Sequence, residues 1–234
     1  MDGPSLPRYV QIAEMLIRDI AAGRLADGTR LPPEREYAAE LGVSVGTLRK
    51  ALDRLAEAGL LRRIQGSGNY IRAQDAPASV YGFFRLERPG GGGLPTAAVL
   101  DVTRLAKPSD LPEFGEGPEA HRIRRLRSLD GTPVALEEIW LCASRAPRLE
   151  AGDLSESLYL HYRRALGITI TAVADEVGLA PAPDWAPERS GLRPGETCGY
   201  VERLSRAQDG ARVEASRTWY DAARCRYVSR MGKA

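Results

Sequence analysis

The sequence predicts an α+β chain in two parts. A helical head ends in a glycine-tipped hairpin, and an α/β domain with a mainly antiparallel sheet follows. Three observations lead there. Apolar residues recur at helical spacing over 9–20 and again over 48–55. Six basic residues (Arg49, Lys50, Arg54, Arg62, Arg63, Arg72) face only Asp53 and Glu57 within residues 41–73. Beyond residue 80 the chain turns strand-rich, with Asp-Gly turns at 130–131 and 209–210.

The head is read element by element. Arg8 to Ala22 is a helix whose apolar face is Tyr9, Ile12, Ala13, Leu16, Ile17 and Ile20, and Gly23 ends it. Leu25 to Leu31 is a short connection turning at Asp27-Gly28. Glu34 to Leu41 is a second helix, with Pro33 expected as its first residue and Gly42 as its left-handed stop. Ser44 is placed to cap a third helix, whose buried stripe is Leu48, Ala51, Leu52 and Leu55. Its other side carries Val45, Gly46, Arg49, Lys50 and Asp53. Gly59 closes it, and LLRRI and NYIR form strands around Gln65-Gly66-Ser67-Gly68. This order is a winged helix-turn-helix, a motif that lays its second helix in the DNA major groove.

Composition bounds what else the chain can be. With 234 residues, 43% hydrophobic and 27% charged, it has core enough for one large or two small globular domains. It has no apolar run near ~18 residues and no charged-then-apolar leader, so neither membrane insertion nor secretion is expected. Three scattered cysteines (Cys142, Cys198, Cys225) lack metal-ligand spacing and fit a reducing cytoplasm. No metal, cofactor or catalytic group is expected. The net charge of +2 is concentrated: residues 1–73 hold 11 Lys/Arg and 9 Asp/Glu, and the remainder 22 of each. A local basic face is what phosphate binding requires.

Residues 74–79 are small and polar with one proline, and read as a linker between a 1–73 DNA-binding domain and an 80–234 effector domain. Val80 to Leu86 is expected as a strand, and RPGGGGLPT as a mobile loop over a pocket, since it lacks a phosphate loop's Gly-Lys-Ser/Thr ending. Thr96 to Leu105 is a strand and Pro108 to Gly117 a turn-rich crossing. His121–Leu129 and Pro133–Leu141 form a hairpin. Asp153 and Glu156 suggest a capping box opening a helix that runs to Leu166 and stops at Gly167. Ile168 to Gly178 is strand-like, Trp185 to Ser190 a short helix, and Gly199–Arg206 with Ala211–Tyr220 a last hairpin.

The head resembles the GntR family of bacterial transcription factors through YVQIA (9–13), LPPERE (31–36), LGVSVGTLRKAL (41–52) and GSG (66–68). The resemblance implies that Arg35 and Arg49 contact DNA, that Ser44 and Thr47 meet phosphate, and that Gly66 is the wing tip. With Val45, Gly46, Lys50 and Gln65 these make the DNA-binding set. Val45 stands where the family usually has arginine, so it is expected to offer a thymine methyl contact instead; Pro33 stands where serine is usual. The second half resembles the HutC branch, whose effector domain is chorismate-lyase-like, through RRLRSLDGTPVALEEIWL (124–141), SLYLHY (157–162) and VEASRTWYD (213–221).

Arg125 and Arg127 share one face of a strand between apolar neighbours, a costly arrangement without an anionic partner. That partner is either Glu137 or Glu214 within the chain, or an anionic ligand, which guanidinium grips bidentately. The resemblance implies that Arg125, Arg127, Glu137, Ser157, Tyr159, Glu214 and Tyr220 contact an effector, and Phe84 and Arg85 are added beside the glycine loop. A two-residue Asp130-Gly131 turn would put Glu137 on the wrong face, so a loop one residue longer, pairing Arg125 with Glu137, is expected. His121 and His161 are isolated and expected to be core or surface. The function expected is an operator-binding homodimer, acting as a repressor and released by a small anionic metabolite: a sugar phosphate, a carboxylate or an amino-acid derivative. The rivals are a lyase-type enzyme and a constitutive DNA binder.

Overall fold

The structure is a computed structural model that describes residues 6–73, 81–154 and 157–230. The chain divides into two compact units, one of residues 6–85 with the stretch from Tyr227, the other of residues 86–226. The expected linker, Val80 and Glu156 lie outside the described residues.

In the first unit α1 (Arg8–Ala21) and α3 (Val45–Glu57) pack their apolar stripes together, with α2 (Glu34–Glu40) against α3. Ile12, Leu16, Leu48, Leu52 and Leu55 are all at most 1% exposed, so truncating any of them to alanine should cost about 2–5 kcal/mol. Pro33 is the residue before α2, in extended conformation (ψ 138°), rather than its first residue. The residue preceding a helix needs an extended ψ while its carbonyl starts the ladder, and Tyr37 N bonds Pro33 O at 2.9 Å. Ser44 caps α3 as expected, its Oγ accepting from Thr47 N at 3.1 Å. The wing is β1 (Leu61–Ile64) and β2 (Gly68–Ile71), antiparallel from Leu61 opposite Ile71 to Ile64 opposite Gly68. Gly66 turns it with φ +75°, a conformation costly for residues bearing a Cβ.

The second unit is built on a six-stranded antiparallel sheet. Its strands are β4 (Pro95–Ala106), β5 (Glu119–Leu129), β6 (Thr132–Cys142), β7 (Ile170–Pro181), β8 (Thr197–Ala207) and β9 (Arg212–Tyr220), in spatial order β4-β5-β6-β9-β8-β7. One face holds two apolar clusters, Leu126, Leu136 and Trp219 with Leu192 and Trp185, and Ala120, Trp140 and Ala215 with Leu111 and Phe114, separated by a charged row in which Arg124 pairs with Glu138 and Arg217 with Glu202. The other face carries the charged residues described below. The expected strand from Val80 is reduced to β3 (Leu86–Glu87), because Tyr81 to Phe83 form a turn. Ser157, not a capping box, caps α4 (Leu158–His161), accepting from Leu160 N at 3.3 Å. A wider helical turn, Tyr162–Leu166, follows and stops at Gly167 with φ +67°, and only Glu188–Ser190 of the expected 185–190 helix forms, as a single turn.

The glycine loop is fastened rather than loose. Arg88 pairs with Asp130 at 3.0 Å, Leu94 N donates to Asp130 Oδ1 at 3.0 Å, and Gly92 N donates to buried Glu87 at 3.3 Å. The acidic tip of the neighbouring hairpin supplies the anchor. Composition alone could not reveal it.

That hairpin also corrects the expected register. The turn has two residues, Asp130 (φ +49°) and Gly131 (φ +80°), the positive pair that a type I′ turn requires. Leu129 faces Thr132 and Ser128 faces Pro133, but Arg127 faces Ala135 and Arg125 faces Glu137. Val134 is the surplus residue, a β-bulge. Its carbonyl accepts from Asp221 N at 2.9 Å, so the bulge does not leave that oxygen unpaired. The partnership of Arg125 with Glu137 stands as expected, and a bulge rather than a longer loop produces it.

Candidate nucleic-acid interface and effector site

Every residue expected to meet DNA lies on α2, the turn before α3, α3 itself or the wing. Arg35, Ser44, Gly46, Arg49, Lys50, Gln65 and Gly66 are exposed, and Val45 and Thr47 half-buried. Ser44 Oγ and Thr47 Oγ1 lie 2.8 Å apart, so both hydroxyls sit at the start of α3 where its positive dipole end favours phosphate. Two basic side chains are held by carboxylates: Arg49 Nε donates to Glu34 at 2.6 Å, and Arg63 pairs with Asp53 at 2.7 Å. The Arg49 bond holds the Glu34 carboxyl below its ordinary value. The arrangement offers a helix N-terminus, a set of arginines and a glycine tip on successive elements.

On the second unit, residues directly opposite in an antiparallel ladder share a face. The pairings Arg125–Glu137–Thr218–Val201 and Ile139–Ser216–Arg203–Asp175 therefore run as adjacent rows across the sheet, with Leu141–Glu214–Ser205 beyond them. Arg125, Arg127 and Glu137 are buried, and Arg125 Nη2 lies 2.6 Å and Arg127 Nε 3.7 Å from the Glu137 carboxylate. Burial alone would raise the Glu137 carboxyl, but the fields of Arg125 and Arg127 and the Arg125 bond outweigh it and lower it. Of the two internal partners open from sequence, the structure thus uses Glu137.

Glu214, 1% exposed, is satisfied by hydroxyls. Tyr162 donates to Oε2 at 2.7 Å, and Tyr159 and Ser205 donate to Oε1 at 3.1 and 2.9 Å. Burial raises its carboxyl, and these three bonds offset only part of the rise. The Tyr159 and Tyr162 hydroxyls are raised likewise, first by burial and then by the Glu214 charge. Tyr159 also bonds Arg203, whose guanidinium meets Asp175 through two bonds of 2.6 and 2.7 Å. Sequence reasoning missed Arg203, Asp175, Ser205 and Tyr162. The alternation of Val201, Arg203 and Ser205 marks one strand face and SLYLHY ends on Tyr162, but nothing local says which face is the site.

Not all expected effector contacts assemble. Ser157 is buried at the start of α4, two residues before Tyr159 and five before Tyr162. Tyr220 shares the face of Glu214 but lies six residues, ~20 Å, along the strand. It faces Arg127 across Ala135 and covers Gly199, where an added Cβ would come within 2.2 Å of its ring. Phe84 and Arg85 belong to the other unit, where the Arg18 guanidinium stands 5.9 Å from the Phe84 ring. His121 is a core residue, its Nε2 2.7 Å from Ala146 O.

A winged helix with exposed arginines, in one chain with a sheet domain that buries an arginine–carboxylate–hydroxyl cluster, defines a ligand-responsive DNA-binding protein. Residues 8–71 match the bacterial regulatory proteins of the gntR family, and residues 91–226 match the UTRA domain. The chain is 58% identical over 229 residues, 98% of each chain, to the HTH-type transcriptional regulator SmoD of Agrobacterium fabrum. It is 27% identical over 233 residues to the HTH-type transcriptional repressor NagR of Bacillus subtilis, covering 97% of this chain and 96% of that one. The crystal structure of the possible transcriptional regulator YydK of Bacillus subtilis shares its fold, with TM-score 0.55 and 20% identity over 97% of this chain and 100% of that one. The chain belongs to the GntR family, in its UTRA-bearing, HutC-type branch. It is a regulator and not an enzyme, which removes the lyase rival.

Proposed function

We propose that this transcriptional regulator acts as a repressor, binding operator DNA as a homodimer through α2, α3 and the wing. A small anionic metabolite held by the sheet domain releases it. The observation that carries the effector class is the convergence of two buried arginines on Glu137. A carboxylate or phosphate on the ligand would join or replace Glu137 there, and guanidinium matches both. The hydroxyl cluster about Glu214 suits a ligand bearing hydroxyl or amino groups beside its anion, as sugar phosphates, hydroxy acids and amino-acid derivatives do. Residues 1–73 serve as the DNA-binding part and 80–234 as the effector part, joined by 74–79, with Tyr81–Arg85 and the stretch from Tyr227 packing in the first unit. Among the described residues no helix is long and apolar enough to cross a membrane. A protein acting on chromosomal operators works in the cytoplasm.

The test is operator release. The purified chain is bound to a duplex selected from a randomised pool and challenged with phosphosugars, carboxylic acids and amino-acid derivatives. One class should release the wild type, while Arg125→Ala/Arg127→Ala should bind the duplex equally well and need at least ~100-fold more ligand, since removing charge-assisted contacts costs about 1.5–3 kcal/mol each. A double variant released at the same concentration would sink the assignment.

A further inference from the structure

Arg49 is the residue of α3 best placed to read a base, and its guanidinium is held before DNA arrives. Its Nε donates to Glu34 Oε2 at 2.6 Å, while Glu34 Oε1 accepts from Asn69 Nδ2 at 3.4 Å. Glu34 is the first residue of α2, and Asn69 is a buried residue of wing strand β2 whose carbonyl accepts from Leu31 N at 2.9 Å. One carboxylate therefore links the reading helix to the wing through the start of α2. Glu34 is itself only partly exposed, 26%, whereas Arg49 is 64% exposed. A long, exposed arginine would otherwise sample many rotamers and lose that freedom on binding.

The atom that Glu34 engages decides what Arg49 has left to offer. With Nε committed, the two terminal nitrogens remain as a planar fork, the pair of donors that matches O6 and N7 of guanine in the major groove. Arg49 presented this way meets a guanine edge without first being ordered. Glu34 itself attracts nothing on DNA. Its negative charge, close to the phosphates, opposes the sequence-independent attraction that the basic face provides.

We propose that Glu34 is a positioning residue for operator choice: it aims Arg49 at one guanine at the expense of generic affinity. The proposal rests on the DNA-interface reading above and adds to it a carboxylate that touches no DNA. It has a signature that a mere structural brace lacks, because removing Glu34 should move specific and non-specific binding in opposite directions.

The experiment uses the full chain and the duplex that the wild type selects from a randomised pool. Dissociation constants are measured for that duplex, its single-pair variants and a scrambled duplex, with Glu34→Ala, Glu34→Gln and Arg49→Ala. Glu34→Ala should lower discrimination at one G·C pair ~5-fold or more, with scrambled-duplex binding unchanged or tighter. Glu34→Gln keeps an acceptor for Nε, so it should lose less discrimination and serves if the alanine variant melts early. Loss of affinity for all duplexes alike would show a brace and overturn the proposal, as would unchanged discrimination in both Glu34 variants. Arg49→Ala separates the two failures: if it too leaves discrimination intact, the DNA-interface reading is what falls.

Discussion

Replacing Glu137 by glutamine tests the centre of the effector domain with little change of shape. The carboxylate accepts from Arg125 at 2.6 Å, and the two side chains are only 6% and 12% exposed. Breaking a buried ion pair from one side costs about 3–5 kcal/mol, because the remaining charge keeps its desolvation penalty. Glutamine retains an acceptor oxygen for Arg125, which places the expected loss at the lower end, ~3 kcal/mol. For a unit of this size each kcal/mol moves the midpoint by roughly 2–4 °C, so the effector domain should melt about 6–12 °C earlier at neutral pH. The pH dependence gives a second reading. The folded-state carboxyl lies below its unfolded value, so its stabilisation is fully present above the unfolded value, ~4.3, and is lost as pH falls through the folded one. The gap between wild type and Glu137→Gln should therefore be widest near neutrality and close in acid. Calorimetry between pH 3.5 and 7.5 measures both. A variant melting within 1 °C of wild type at every pH would refute the account of this cluster.

Glu214→Gln should behave with the opposite sign. Burial raises the Glu214 carboxyl, so the stability tied to its proton is present below the unfolded value, ~4.3, and lost as pH rises through the raised folded one. Glutamine cannot ionise, so the variant should gain on the wild type as pH rises through that window, and a pH-independent difference would contradict this. Gly199→Ala would drive a Cβ to 2.2 Å from the Tyr220 ring and force it aside. The overpacking should cost ~1–3 kcal/mol in thermal melts. If Tyr220 contacts the ligand, effector-driven release should also weaken; unchanged melting and release would reject the packing argument.

The head was legible because its signals are local. Ser44 before a stripe of leucines, Gly42 after α2 and a glycine pair at the wing each act within a few residues, and only the place of Pro33 shifted. The effector domain was legible wherever a hairpin supplied the pairing, as between Arg125 and Glu137. Arg203 and Asp175 stayed hidden because β7 and β8 join β9 at the far side of the sheet, and their face depends on pairings dozens of residues distant. Phe84 and Arg85 were read from nearness in sequence to the glycine loop, and they pack in the first unit.

The surplus residue at Val134 turns hairpin arithmetic into something countable. Between Arg125 and Glu137 lie eleven residues. A regular hairpin closed by a two-residue turn always leaves an even number between residues that face each other. An odd interval between two side chains whose chemistry demands partnership therefore announces an irregularity before any coordinates exist, in the strand or in the turn. Two regulators could spend that extra residue in different places and keep the same arginine against the same carboxylate. Across such a hairpin the parity of the interval, not the site of the insertion, is the quantity under constraint.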